Sequence, residues 1–229
     1  MADYCISMGA KKESVSVDLP PLDLSHFKNA SSFRSEYRKK LGFSESDQVI
    51  TYMGSFFYFS GLPEVLGELA KIKRENFKLL LIGGGEQEQE LRNLARKLGI
   101  SERVKFTGFV GFAELPKYLG AADVAINSMH RTLVSNAAFP NKVLQYMASG
   151  LPVVSTDLDG LRKTFGPLQG LNLVSSPVAV LAKACELMNN ANLQDIGRQN
   201  QTEVAKIFSR EGAVDAFEKQ LLRIVGANG

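Results

Sequence analysis

The sequence predicts an α/β fold in which a parallel sheet is covered by helices on both faces. Short segments rich in Val, Ile and Leu alternate with longer segments whose apolar residues recur every three or four positions. This alternation indicates strands that are each followed by a helix. The short segments are apolar along their whole length, as is typical of parallel strands buried on both faces. Glycines follow three of them, where a strand would turn toward its helix.

The length and composition suit one domain with a substantial core. The chain has 229 residues, of which 45% are hydrophobic and 22% are charged, as in an ordinary folded, water-soluble protein. A formal net charge of +3 is too small to indicate a nucleic-acid partner. Cys5 and Cys185 match no metal or redox spacing, which fits a reducing cytoplasm. No apolar run reaches the roughly 18 residues of a membrane span, and no signal peptide is recognisable, so we expect a cytoplasmic protein.

The first 30 residues show no clear period apart from a possible strand at residues 13–17. We predict that residues 1–30 are an interdomain linker, with a poorly ordered N-terminal arm as the alternative. The domain then occupies residues 31–229. It begins with a charged helix at residues 31–41, which a glycine closes.

From residue 48 onward, strands and helices alternate. Strands are predicted at residues 49–53, 78–82, 104–106, 123–127, 153–155 and 171–174. Helices are predicted between them at residues 62–73, 86–98, 113–119 and 140–149, and after them at residues 176–188, 192–208 and 210–225. A turn through residues 157–160 is predicted after the fifth strand.

The stretch from Ala137 to Thr156 organises the predicted fold. Pro140 suits a first helical turn, Asn141 is a plausible cap beside it, and Gly150 stands where the helix should end. A short loop then leads into the strand at residues 153–155. A helix N-terminus beside a strand end is an arrangement that binds anions at the edge of an α/β sheet.

Ligands of open parallel sheets bind beyond the carboxyl ends of the strands. The loops at that edge begin at Gly54, Gly83, Gly108, Asn127 and Thr156. Glycines at the first three let backbone N–H groups approach a phosphate or a ring closely. Strand-to-helix turns also use glycine for geometry alone, so this purely structural interpretation stays open.

Catalytic side chains are scarce in the sequence. His130 and Arg131 follow the fourth strand, and we interpret His130 as a residue of the pocket rim rather than a general base. The sequence shows no Ser-His-Asp pattern, no pair of carboxylates in one loop and no His/Cys cluster, so it predicts no metal site and no hydrolase. The chain therefore has the residues of a binding domain.

Five motifs follow one another along the chain: V-I-T-Y-M-G-S (49–55), K-L-L-L-I-G-G-G-E (78–86), V-K-F-T-G-F-V (104–110), E-L-P-K-Y-L-G-A-A-D-V-A-I (114–126) and F-P-N-K-V-L-Q-Y-M-A-S-G-L-P-V-V-S-T (139–156). Their order and spacing resemble the C-terminal half of a GT-B glycosyltransferase of the retaining group often called family 4. The resemblance extends over about residues 9–225. It implies a Rossmann-like domain that binds the nucleotide-sugar donor, and residues 20–27 resemble the hinge to the other half.

The resemblance also implies a role for each motif. The first loop and the helix N-terminus would hold the diphosphate, the second loop would line the nucleotide pocket, and the loop around Phe109 would hold the base. Gln145 stands where the family carries a glutamate for the ribose. The binding residues expected in this way are Gly54, Ser55, Gly83, Gly84, Gly85, Gly108, Phe109, His130, Arg131, Pro140, Asn141, Lys142, Val143 and Gln145.

Several positions depart from the family pattern. Ser55 and Ser60 stand where an arginine and a lysine usually contact the diphosphate. Ala137 and Gln145 replace the two glutamates of the family. These changes predict weaker diphosphate binding, with Lys142 and the residues at 130 and 131 as the remaining candidates to offset the loss.

The resemblance implies that the complete enzyme is a retaining, metal-independent glycosyltransferase without a cofactor. Its donor would be a UDP- or GDP-linked sugar. Its acceptor would be a saccharide or a lipid-linked molecule, as in polysaccharide or glycolipid synthesis. Its acceptor-binding N-terminal half would be a separate partner, so we expect this chain alone to be inactive. Peripheral contact with the inner face of a membrane is compatible with that function.

The departures from the family pattern leave a non-catalytic nucleotide- or partner-binding module as the main alternative. A UDP-sugar epimerase of the same architecture ranks last, because this chain offers no suitable catalytic carboxylate.

Overall fold

The computed structural model describes residues 2–15, 24–138, 141–166, 168, 170–208, 214–215 and 217–222. Its strands lie close to the predicted positions. They are β1 (Gln48–Met53), β2 (Phe77–Ile82), β3 (Val104–Phe106), β4 (Val124–Asn127), β5 (Val153–Thr156) and β6 (Leu171–Val174). They form one sheet in the order β3-β2-β1-β4-β5-β6, and every neighbouring pair is parallel. The predicted parallel sheet is confirmed.

The sheet order places a crevice at one defined point. The chain moves from β1 outward to β2 and β3, and then returns to the other side of β1 to form β4, β5 and β6. The connections after β1 and β4 therefore leave the sheet in opposite directions, and a cleft opens between them at the carboxyl edge. Gly54 directly follows β1, at the edge of this crevice.

Helices cover both faces, as predicted. They are α1 (Ala2–Ser7), α2 (Arg34–Leu41), α3 (Leu62–Lys71), α4 (Glu88–Lys97), α5 (Leu115–Gly120), α6 (Leu133–Ala137), α7 (Asn141–Ala148), α8 (Asp159–Phe165), α9 (Pro177–Met188) and α10 (Leu193–Ile207). Side chains of α3, α4 and α9 form the core on one face, and side chains of α2, α5, α7, α8 and α10 form the core on the other. No helix in the described ranges is both long and apolar enough to span a bilayer.

Helix α7 is fixed near its C-terminal end. It ends as predicted at Gly150, which has a φ of +78°, and the N–H of Leu151 donates to the carbonyl of Tyr146 at 3.1 Å. The Tyr146 hydroxyl in turn accepts a hydrogen bond from the N–H of Met53 at 2.6 Å. Burial raises the pKa of Tyr146 well above its usual range, so this hydroxyl stays protonated. The helix is thereby tied to the end of β1, beside Gly54.

Three local predictions need correction. The turn predicted at residues 157–160 is wrong in its second half, because α8 begins at Asp159, and its Leu161 and Phe165 are buried one helical turn apart. Helix α6 was not predicted, because a helix of five residues shows no apolar period. The possible strand at residues 13–17 is wrong where the structure describes it, since Lys12–Ser14 is a 3-10 helix.

Both ends of the chain carry further observations. Residues before the predicted domain boundary pack on the core, since Phe27 and Ala30 are buried. The assignment of residues 1–30 to a linker stays a prediction. Of the last predicted helix, residues 214–215 and 217–222 are helical, and the rest lies outside the described residues.

Candidate functional site

A cavity of about 520 Å³ lies at the carboxyl edge of the sheet, in the crevice between the ends of β1 and β4. Apolar side chains form most of its lining, among them Phe57, Phe59, Met129 and Leu158. Eight of the residues predicted from the sequence line it: Gly54, Ser55, Gly83, Phe109, Asn141, Lys142, Val143 and Gln145. The structure therefore brings four separate sequence motifs to one cleft.

Two glycines of the second loop are explained by backbone packing. Gly83 has a φ of +127°, and a Cβ there would lie 2.1 Å from the carbonyl oxygen of Gly54. A Cβ on Gly85 would lie 2.8 Å from the backbone nitrogen of Phe56. The N–H of Gly83 donates to the carbonyl of Gly108 at 3.0 Å. Close contact between the loops thus requires Gly83 and Gly85 without any ligand, whereas a Cβ on Gly84 would meet only side chains, the nearest atom being Oε2 of Glu88 at 2.9 Å.

Gly54 differs from Gly83 and Gly85 because a charged side chain lies over it. A Cβ on Gly54 would lie 3.3 Å from the Nζ atom of Lys142. The missing side chain thereby lets the ammonium approach the backbone of the first loop. Lys142 comes from the first turn of α7, so the loop after β1 and the helix N-terminus meet at this point.

Lys142 is half-buried, and its contacts are neutral. Its ammonium donates to the Tyr52 hydroxyl at 3.0 Å and lies 4.4 Å from the centroid of the Tyr52 ring. No carboxylate in the described part of the chain forms an ion pair with it. Among the described residues that line the cleft, it is the only one with a charged side chain. An ammonium in an apolar cleft without a counter-ion favours the binding of an anion.

Backbone N–H groups add to this positive site. The first N–H groups of an α-helix have no partner within the helix, and those of α7 begin at Asn141, in the cleft lining. The positive end of the helix dipole has the same location. In the described structure the N–H of Ser55 makes no hydrogen bond with protein, while its carbonyl accepts one from the Tyr52 hydroxyl at 3.3 Å. Lys142, the helix N-terminus and Ser55 together form a candidate anion site.

His130 and Arg131 lie outside the cleft lining. The His130 Nε2 atom is 2.8 Å from Oε1 of Glu64, and Arg131 forms an ion pair with Asp159. Their predicted part in diphosphate binding stays a prediction, and it requires these contacts to be exchanged for contacts to the ligand. Pro140, also predicted at the site, lies outside the described residues.

Two departures from the family pattern have a visible structural consequence. Ser60 is 1% exposed, and its carbonyl accepts a hydrogen bond from the Ser128 hydroxyl at 2.7 Å. A lysine at position 60 would not fit this buried place without moving the loop. Gln145, by contrast, is half-buried and lines the cleft, so its amide is available to a ligand.

Tyr52 is one of the cleft residues that the sequence did not reveal, and it is the one that contacts Lys142. It lies within β1, whose apolar sequence predicts an ordinary core residue at this position. In the structure this residue is 1% exposed. Its hydroxyl contacts both Lys142 and the first loop. Tyr52 and Lys142 are 90 residues apart in the chain, so only the folded structure shows this contact. No group of three or more His, Cys, Asp or Glu side chains within the described ranges could hold a metal ion.

Comparison with known proteins gives a family match over most of the chain. The model of the family described as "Glycosyl transferases group 1" matches residues 33–204. N-acetyl-alpha-D-glucosaminyl L-malate synthase of Bacillus anthracis is 26% identical over 189 residues, which are 80% of this chain and 48% of the relative. The lipopolysaccharide core biosynthesis glycosyltransferase LpsE of Rhizobium meliloti is 29% identical over 198 residues, which are 85% of this chain and 55% of the relative. The chain thus spans about half the length of these curated relatives.

Solved structures agree with the fold. HepE of Anabaena, crystallised in complex with UDP, superposes with a TM-score of 0.84 at 19% identity, over 96% of this chain and 60% of HepE. WaaG, a glycosyltransferase involved in lipopolysaccharide biosynthesis, superposes with a TM-score of 0.73 at 19% identity, over 94% of this chain and 59% of WaaG. The predicted fold, the C-terminal half of a GT-B architecture, is confirmed.

Proposed function

The chain belongs to the group 1 glycosyl transferases, and we propose that it is the donor-binding domain of such an enzyme. The complete enzyme transfers a sugar from a nucleoside diphosphate to a saccharide or lipid-linked acceptor. In this proposal transfer retains the anomeric configuration and needs no metal ion. The names of the two curated relatives, a glucosaminyl malate synthase and a lipopolysaccharide core glycosyltransferase, support the reaction class, and the second name supports a saccharide or lipid-linked acceptor.

The observation that carries this proposal is the ammonium of Lys142. It lies in an apolar cleft at the N-terminus of α7, and no carboxylate among the described residues neutralises it. A diphosphate would supply the missing negative charge and accept hydrogen bonds from the free N–H groups of the helix. An anion is therefore the ligand group that this part of the cleft favours.

The rest of a nucleotide sugar can be placed around that anion. The diphosphate contacts Gly54, Ser55 and Lys142, the ribose contacts Gln145, and the base lies toward Phe109, which is 76% exposed in the cleft mouth. The complex of HepE with UDP favours uridine as the base, with guanosine as the next candidate. Because the cleft walls are apolar, they hold the base and sugar by packing more than by hydrogen bonds.

This placement assigns a chemical task to the residues at the helix N-terminus. During transfer, the bond between the anomeric carbon and the diphosphate oxygen breaks, and its electron pair stays on that oxygen. The hydroxyl oxygen of the acceptor forms the new bond to the anomeric carbon, and its proton passes to the departing diphosphate. Lys142 and the N–H groups of α7 are positioned to stabilise the negative charge that develops there. Stabilising a leaving group in this way lowers the barrier without a protein nucleophile from this chain.

The acceptor site requires a second domain. The chain covers about half of the curated relatives, and we propose that a separate N-terminal half binds the acceptor and completes the active site. In this proposal the present chain binds the donor and is inactive alone. The complete enzyme works in the cytoplasm, where nucleotide sugars are made, and reaches lipid-linked acceptors at the membrane face.

Isothermal titration of the purified chain with UDP-, GDP-, ADP- and TDP-sugars tests the proposal. We expect saturable binding of one nucleotide series and no comparable binding of the others. The same titration with Gln145→Ala should show weaker binding, because the proposed ribose contact is removed. A chain that is folded by circular dichroism and binds none of the four series would contradict the proposal.

Substitution of Gln145 by glutamate is expected to strengthen nucleotide binding about fivefold. A carboxylate accepts hydrogen bonds from ribose hydroxyls with about 1 kcal/mol more free energy than a neutral amide, which corresponds to roughly that factor. The measurement is the Kd of UDP or the preferred nucleotide by titration. Gln89→Glu on the exposed part of α4 is the control, since it makes the same charge change outside the cleft. An unchanged or weaker affinity of Gln145→Glu would remove Gln145 from the ribose site.

A non-catalytic binding module is the second candidate. The burial of Ser60 favours it, because the loop leaves no room for the second cation of the family pattern. Ala137 and Gln145 also lack the carboxylates of that pattern. Sugar transfer by the complete two-domain protein distinguishes the candidates: turnover supports the enzyme, and nucleotide binding without turnover supports the module.

A further inference from the structure

Tyr52 occupies a position in the cleft that neither the motifs nor the family match explains. It is the fifth residue of β1, it is buried, and it is part of the cleft lining. The residues on either side of it in the strand are buried as well. What distinguishes Tyr52 is that its hydroxyl contacts two groups to which we assign phosphate binding.

The Tyr52 hydroxyl forms two hydrogen bonds, and the chemistry of its partners fixes which group donates in each. An ammonium only donates, so the Tyr52 oxygen accepts from Lys142 Nζ at 3.0 Å. The phenolic hydrogen is then free to donate to the carbonyl of Ser55, which is 3.3 Å away. One hydroxyl thus holds the cation and also turns the Ser55 carbonyl toward the protein. The carbonyl is an acceptor that would repel a phosphate, whereas the ammonium attracts it.

The ammonium retains binding capacity in this arrangement. It has three hydrogens, of which one is used by Tyr52, so two remain for an anion beside Gly54. The face of the Tyr52 ring, 4.4 Å from Nζ, adds an attraction that keeps the charge near the cleft floor. A long lysine side chain that is ordered before the ligand arrives loses less entropy on binding.

We propose that Tyr52 is a positioning residue, which holds the Lys142 ammonium in the place where it binds the phosphates of the donor. This inference rests on the proposed function, because it concerns the same anion. It adds a buried tyrosine that touches the cation on one side and the first loop on the other. Tyr52 acts through Lys142 and is not itself a catalytic residue.

A similar pair elsewhere in the chain provides a matched comparison. Lys40 lies 4.5 Å from the Tyr37 ring centroid, and its Nζ is 3.5 Å from the Tyr37 hydroxyl. That hydroxyl, however, donates to Oε2 of Glu114 at 2.6 Å, so a carboxylate lies beside the pair. Neither Lys40 nor Tyr37 lines the cleft. Tyr37→Phe therefore removes a buried hydroxyl beside a lysine without changing the proposed site.

The test compares Tyr52→Phe with wild type and with Tyr37→Phe by isothermal titration at low ionic strength. Phenylalanine keeps the ring and removes only the hydroxyl. We expect Tyr52→Phe to bind the preferred nucleoside diphosphate five- to tenfold more weakly and the corresponding nucleoside equally well, because a nucleoside has no phosphate. Tyr37→Phe should leave both affinities within twofold of wild type.

A double-mutant cycle with Lys142→Met separates positioning from a general structural effect. If Tyr52 acts through Lys142, Tyr52→Phe weakens binding by less than twofold when Lys142 is already absent. Equal loss in both backgrounds, or equal loss for nucleoside and nucleoside diphosphate, would show a structural role and overturn the inference. Wild-type binding that Tyr52→Phe leaves unchanged would also overturn it, with the proposed function intact. Wild-type silence toward every nucleotide would refute both.

Discussion

Replacement of Lys142 by alanine is expected to weaken binding of the nucleotide sugar about 30-fold. Hydrogen bonds that involve a charged group contribute about 1.5–3 kcal/mol, and a loss near 2 kcal/mol corresponds to that factor. The loss should be large because no other charged side chain lines the described part of the cleft. The measurement is the Kd by isothermal titration at constant salt, since screening changes the strength of such contacts.

Lys40→Ala is the matched control for this substitution. Lys40 lies over an aromatic ring as Lys142 does, but it is outside the cleft, so its removal should leave the Kd within twofold of wild type. The thermal unfolding temperature of both variants shows whether either has lost its fold. A Lys142→Ala variant that is folded and binds with wild-type affinity would contradict the assignment of the anion site.

Replacement of Gly83 by alanine is expected to lower the free energy of unfolding by about 2–5 kcal/mol. A Cβ at this position would lie 2.1 Å from the Gly54 carbonyl oxygen, so one of the two loops must move. Overpacking of this kind costs about 1–3 kcal/mol, and the positive φ of +127° adds about 1–2 kcal/mol for a residue with a side chain. Because Gly83 and Gly54 both line the cleft, nucleotide binding should weaken as well. Urea denaturation of the chain measures the first effect.

Substitutions at two other glycines separate the cost of the backbone conformation from the cost of the steric overlap at Gly83. Gly108 has a φ of +72° with open space around its Cβ position, so Gly108→Ala should cost about 1–2 kcal/mol from the backbone conformation alone. Gly111 has open space and no positive φ, and Gly111→Ala should be nearly neutral. If Gly83→Ala were no more destabilising than Gly108→Ala, the close contact between the loops would be refuted.

The strands could be predicted from sequence because burial on both faces makes them apolar without interruption. Predicted and observed bounds agree within one residue for the strands starting at Gln48 and Phe77, and the short Val104–Phe106 agrees at both ends. Long helices with a regular apolar period, such as Pro177–Met188, were equally clear. Patterns of this kind depend only on residues that are close together in the chain, so they can be recognised without knowledge of tertiary contacts.

Short helices could not be predicted in the same way. Helix α6 depends on a capping box, in which the Thr132 side chain accepts from the N–H of Ser135, and five residues are too few to show a period. Helix α8 begins in a segment, residues 157–160, whose composition is typical of a turn. Packing of Leu161 and Phe165 against the core decides in favour of the helix there.

The sequence predicts which loops form the candidate site, but it does not predict which side chains in those loops contact one another. The parallel topology already brings Gly54 and Gly83 to one edge, and the resemblance adds Lys142 from the following helix. The contact between Lys142 and Tyr52 depends on the distance between a strand and a helix, which the sequence does not contain. Which residues touch a nucleotide stays a prediction.

A titration of the ¹⁵N-labelled chain with the preferred nucleoside diphosphate, followed by amide chemical shifts, tests whether the donor binds at the N-terminus of α7. We expect the largest saturable shifts at Ser55, Lys142 and Val143, where the first loop meets the N-terminus of α7. Amides around Gly150 and Asp195, in the groove at the opposite edge of the sheet, should remain unchanged. Saturable shifts that cluster at that opposite edge, with none at the first loop, would contradict the account.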